Sequence, residues 1–223
     1  MTIRWPEQVL RPQNVAFDIA SRSLSAPASM SGAVQVVSSD AGIWKATFGN
    51  VLVRGRDHVL AFRGIANLLE GRLGRILVPL CRGYQPLLPA WQPLYEPVPH
   101  ADDAFFSDGA GYVSQVTSVT LAGSVAARAV SANVHVAIAD TLQPGQHFSI
   151  GERLYRLRTV SYTSENTAAI TFRPPLREAA AIGARLEFDD PVCRMRLASD
   201  SEMDLELALR RFGAPTVSFV EDV

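Results

Sequence analysis

The chain is short of most residues that would announce a chemistry. It has two cysteines, Cys81 and Cys193, too few for a disulfide framework, and both sit beside apolar, strand-like sequence. They read as small core fillers in a reducing compartment. Neither sign of charge dominates: 22 acidic against 21 basic side chains give −1, so no overall field draws the chain to nucleic acid or anionic lipid. No apolar run reaches transmembrane length, which predicts no membrane insertion. The start, MTIRWPEQVLRPQ, lacks an apolar core of signal-peptide length, so synthesis and assembly in the cytoplasm are expected. Aromatics are only 8% of residues, yet apolar residues reach 48%, enough for a core and too many for disorder.

What is present is β patterning. The run at 143–177, QPGQHFSIGERLYRLRTVSYTSENTAAITFRPPLR, has turn chemistry around three strands. Gln143-Pro144-Gly145 turns the chain, and Phe148 and Ile150 alternate with polar neighbours. Leu154, Tyr155, Leu157 and Val160 form a second strand. Ser164-Glu165-Asn166 turns again, and Ala169, Ile170 and Phe172 form a third strand that Pro174-Pro175 stops. Earlier, Ala33 to Val37 predicts a strand, Asp40-Ala41-Gly42 a turn, and Ile43 to Phe48 a strand with Trp44, Ala46 and Phe48 on one face. One helix is predicted near 57–71. Asp57 is its cap, Val59, Phe62, Ile65, Ala66, Leu69 and Leu73 are its apolar stripe, and Gly71 or Gly74 ends it. Arg75 to Leu80 reads as a buried strand. Val134, Val136 and Ile138 share a strand face, with His135 opposite, and residues 176–181 read as a short helical turn. Thr216 to Val220 is a terminal strand.

The fold class expected is therefore mainly β with one packed α-helix; that it is a β-sandwich or barrel belt domain plus a smaller β-barrel-like hairpin unit is what the resemblance given below implies. Four segments follow. Residues 1–30 form an extended N-terminal arm, and 31–112 the belt-like domain, with a long proline-rich loop at 83–112. Residues 113–199 form the small barrel-like domain. Residues 200–223 form a C-terminal segment whose strand is a candidate to return to the belt.

Candidate chemistry is sparse. His100 and Asp102, with Asp103 and Asp108, gather on the long loop and could hold a hard cation. Their spacing matches no calcium loop, and Asx turns stiffening the loop are the competing reading. No Gly-x-Ser-x-Gly elbow occurs, and Gly109-Ala110-Gly111 lacks the strand-turn-helix setting of a dinucleotide loop. No catalytic residue, metal site or cofactor is expected. Trp5 on the arm and Trp91 and Tyr95 on the loop are candidate partner contacts, together with His100 and Asp102. An arginine-rich stretch (Arg54, Arg56, Arg63, Arg72, Arg75, Arg82) and an acidic one (Asp189, Asp190, Asp200, Glu202, Asp204, Glu206) could steer head-to-tail contacts.

Three stretches carry a resemblance to a known group: SGAVQVVSSDAGIWKATFGNVLVRGRDHVLAFRGIANLLEGRLGRILVPLC, VPHADDAFFSDGAGY, and PGQHFSIGERLYRL…AAITFRPPLREA…LEFDDPVCRMRL. In this order of parts, residues 31–221 resemble tail proteins of long-tailed bacteriophages and prophages, most closely distal tail proteins. The resemblance implies a non-enzymatic virion protein at the tail tip. It implies a hexameric homo-oligomeric ring joining the tail tube protein to the tip or baseplate hub proteins, with a host glycan as a further candidate ligand. Another tube, terminator or baseplate component is the alternative. A carbohydrate-binding module is the reading from a different class.

Overall fold

The computed structural model describes residues 2–25, 30, 32, 34, 36–80, 97–98, 102, 104–109, 112–113 and 117–223. The chain is mainly β with one helix. It divides into a first unit, Met1–Leu80 with Val192–Val223, and an inserted unit, Cys81–Pro191. The first unit begins with β1 (Ile3–Arg4), β2 (Asn14–Ser25), β3 (Val36–Gly49), β4 (Val53–Arg54), α1 (Gly55–Leu69) and β5 (Ile76–Pro79). The inserted unit holds β6 (Pro97–Val98), β7 (Tyr112–Val113), β8 (Ser118–Leu121), β9 (Ser131–Ile138), β10 (His147–Ile150), β11 (Arg153–Ser164) and β12 (Thr167–Arg173). The chain then returns to the first unit with β13 (Val192–Leu197), β14 (Phe212–Gly213) and β15 (Val217–Glu221).

The first unit is built on a six-stranded sheet in the order β1-β5-β13-β15-β3-β2, in which only β1 and β5 run parallel. Alternation decides its faces. Trp44, Ala46 and Phe48 of β3, Val217 and Phe219 of β15, and Cys193, Met195 and Leu197 of β13 are buried on one side. The helix adds Phe62, Ile65 and Leu69 to buried positions. It starts two residues before Asp57. Arg54 stands at the cap without a side-chain bond, and Asp57 lies in the first turn, where a carboxylate suits the helix dipole. Glu70, not a glycine, takes the left-handed cap at φ 46°, and Leu73 lies past the end, exposed.

Two expectations fail in this unit for one reason, long-range pairing. Residues 2–25, expected as an extended arm, are instead tied into the sheet, because β1 pairs β5 and β2 pairs β3 along Asn14–Ser25. Asp40-Ala41-Gly42 is not a turn either. Ala20 pairs Ile43 and Arg22 pairs Ser39, so three residues of β3 oppose Ser21 in a bulge. A Cβ on Gly42 would stand 2.6 Å from Ile19 Cγ2, so the strands approach there only because position 42 is glycine.

The inserted unit leaves from β5 and re-enters at β13, which are antiparallel neighbours, with Pro79 opposite Val192. Val192–Leu197 therefore belongs to the first unit, not to a domain over 113–199, and β15 also lies in the first sheet. Within the inserted unit five antiparallel strands run β10-β11-β12-β9-β8. One segment bridges both ends of that order: Leu186 N–H donates to Val119 O, while Ser149 and Glu187 exchange backbone bonds at 2.8–2.9 Å. The core gathers Phe148, Tyr155, Phe172 and Phe188 with Val134, Val136 and Ile170. On β12 the buried face is Ala168, Ile170 and Phe172, so Ala169 points away. Residues 176–181 form no helix, because Ala180 bridges Val125 and Leu176 N–H reaches Ala129 O.

Candidate functional site

Of the five expected contact residues, Trp91, Tyr95 and His100 lie outside the described residues. Trp5 is not a docking residue: it is 1% exposed inside its own unit. Parallel pairing of β1 with β5 extends to Trp5 N–H, which donates to Leu77 O at 2.9 Å. Its Nε1 donates to Leu10 O at 2.9 Å, and its ring meets Phe48 and Phe219 edge-on at 5.5 and 5.6 Å. Asp102 is exposed, and its Oδ1 accepts from Ala104 N–H at 3.2 Å, an Asx turn. Among the described residues no three His, Cys, Asp or Glu side chains are placed to hold a metal ion.

The two charge bands partly meet inside the chain. They meet where Arg72 Nε lies 3.2 Å from Asp200 Oδ1, whereas Arg75 pairs outside the acidic band, its Nε 2.9 Å from Asp222 Oδ2. Hydrogen bonds from the Arg72 side chain and backbone hold the Asp200 carboxyl below its ordinary value of 3.8. The folded chain thus binds this proton less tightly than the unfolded chain. The pair's contribution is complete above the ordinary value and is lost as pH falls through the lowered one. Arg72→Ala is expected to move the Asp200 titration midpoint upward, read by carboxyl-carbon NMR. An unmoved midpoint would show that the pair is not populated in solution.

A feature not visible in the sequence is the carboxylate pair at the end of β15. Glu221 and Asp222 look like terminal surface charges, yet both are buried. Glu221 Oε2 accepts from Trp44 N–H at 3.0 Å, tying β15 to β3. Asp222 gathers Arg75, Arg194 at 3.2 Å and Arg196, tying the end of β15 to β13 and the entry to β5.

Two features of the first unit lie open: an outer ribbon and a groove. One is the β2–β3 ribbon. These strands pair from Asn14–Gly49 out to Ser25–Val36, whereas β15 covers β3 only over Lys45–Phe48. Among the described residues, β3 over Val36–Ile43 has β2 as its only strand neighbour, and β2 ends the sheet. The other is a groove of about 740 Å³ lined by Arg54, Glu202, Asp204, Glu206, Phe212 and Gly213, among others. Glu202 is structural, since its oxygens accept from Ser218 N–H at 2.7 Å and Ser199 Oγ at 3.3 Å. In the inserted unit, a groove of about 680 Å³ is lined by uncharged residues such as Ser131, Asn133, Thr159 and Thr171.

No protein-family model matches this chain, and no curated protein sequence matches it significantly.

Proposed function

We propose that the chain is a structural subunit of a phage tail, closing into a ring that joins the tail tube to the tip or baseplate. The sequence resemblance over 31–221 is one support, and the β2–β3 ribbon is the observation that carries the reading. Beyond Lys45, the paired strands run on for seven residues of β2, Ile19–Ser25, roughly 23 Å at about 3.3 Å per residue, without a third strand among the described residues. A two-stranded ribbon is marginal in water by itself, and its bare edges are templates for pairing. In a ring each subunit offers one edge and receives another, a heterologous contact that closes. The number six comes from the resemblance, as do the tube protein and tip hub as neighbours and the virion as the location. A tube, terminator or baseplate position rests on the same ribbon. The glycan-binding reading rests on Trp91 and Tyr95 and gains no observation of its own.

Light scattering and negative-stain imaging of the purified chain test this. Rings are expected from the full chain. A variant with residues 21–42 replaced by a two-residue Asn-Gly turn keeps the Asn14–Ala20 pairing, and should be monomeric with an intact first unit. A full chain that remains monomeric at every concentration overturns the self-closing ring.

A further inference from the structure

We infer that the groove beside residues 204–207 receives an extended basic segment of a partner protein as an added β-strand. After a turn in which Asp204 N–H donates to Ser201 O at 3.1 Å, residues 204–207 belong to no helix, strand or turn. Asp204 and Glu206 are exposed, whereas Leu205 and Leu207 are half-buried, the alternation of a strand with one face on a core. Yet the segment belongs to no sheet. Among the described residues none hydrogen-bonds the backbone of Leu205, Glu206 or Leu207, and bonding resumes only where Ala208 N–H donates to Phe212 O at 2.7 Å.

The segment lies directly over Gly213, where a Cβ would come 2.9 Å from the Glu206 carbonyl oxygen and 3.0 Å from a Leu205 methyl. A backbone with unengaged donors and acceptors at 205–207 and a strand's alternation of exposure, alongside an open groove of about 740 Å³, suits strand addition. Main-chain bonds would supply affinity there and side chains specificity.

Charge names the occupant. Three carboxylates, Glu202, Asp204 and Glu206, line the groove against one guanidinium, Arg54. Asp204 and Glu206 stand two residues apart on one face, about 7 Å at strand rise, which matches lysine or arginine at positions i and i+2 of an incoming strand. Phe212, 47% exposed at the rim, meets the intervening apolar side chains. The partner is thus a segment alternating basic with apolar residues. This inference does not depend on the ring.

The test uses the full chain and a short fluorescent peptide alternating lysine with valine, titrated by anisotropy at low salt. Three comparisons are an isomer with its lysines contiguous, a version N-methylated at alternate amides, and the double variant Asp204→Asn, Glu206→Gln. Each is expected to weaken binding by about tenfold or more. Both carboxylates are exposed, so the double variant should keep the parent's unfolding midpoint. Equal binding of the two isomers, or indifference to N-methylation, would reduce the effect to nonspecific charge attraction and overturn the inference. So would an absence of saturable binding. Self-association that the double variant abolishes, with no peptide binding, would assign the groove to a second copy instead.

Discussion

Asp222→Asn is expected to lower the stability of the first unit by about 3 kcal/mol, from the loss of the buried carboxylate's charge pairing with three arginines. The Asp222 side chain is only 3% exposed, and three arginines converge on it from β13 and from the entry to β5. The amide preserves shape but not charge. Arg75 and Arg196, at 61% and 45% exposed, can turn into water, which places the effect at the lower end of the usual 3–5 kcal/mol for breaking a buried pair. Arg194, at 20%, has less room to do so, and its Nε approaches the carboxylate at 3.2 Å without good hydrogen-bond alignment. In urea, at about 2 kcal/mol per molar, the unfolding midpoint should fall by about 1.5 M. A second substitution identifies the cause. Arg194→Leu in the Asp222→Asn background should recover more than half of the loss, and Arg196→Leu much less. Equal recovery by both would show that the three arginines act as one surface field.

Trp5→Ala is expected to cost about 3–5 kcal/mol, the range for emptying a large aromatic from a packed core. The indole is wedged edge-on between Phe48 and Phe219 and is 1% exposed, so its removal leaves a void bordered by β3 and β15. Trp5→Phe separates volume from hydrogen bonding. It keeps ring contacts with both phenylalanines but strands the carbonyl of Leu10, itself buried, at a cost of about 1–3 kcal/mol. Trp44, also buried in the first unit, remains as a fluorescent reporter of unfolding in both variants. A docking role for Trp5 would give the opposite pattern, with unchanged monomer stability and impaired assembly.

The contrast between Trp5 and Trp44 shows what local sequence can reveal. Trp44 stands in a run that alternates with Ala46 and Phe48, so its burial follows from the two-residue period of a strand against a core. Trp5 stands between Arg4 and Pro6 in a segment with no period. Its burial depends on a parallel pairing with β5, more than seventy positions away. The hairpin of β11 and β12 was legible for the same local reason as Trp44: Glu165-Asn166 turns the chain between Ser164 and Thr167, and the apolar positions alternate on either side. The outer half of β2 was not, because Arg22-Ser23-Leu24-Ser25 has no hydrophobic alternation. It is a strand because β3 lies beside it. The groove's rim at 204–207 follows a polar run, Asp200-Ser201-Glu202-Met203-Asp204, although Leu205 and Leu207 alternate with Asp204 and Glu206.

The sequence by itself determined a mainly β chain with one helix, which residues of each alternating strand face a core, and where the β11–β12 hairpin turns. These are short-range properties, set by side-chain period and turn chemistry within about ten residues. Only the tertiary structure decided that 81–191 is inserted between two neighbouring strands of one sheet, that Glu221 and Asp222 are buried anchors, and that among the described residues the outer reach of β3 has no strand on one side. Which strands become neighbours depends on the whole chain's burial and pairing free energy. No local pattern encodes which edge is left without a partner.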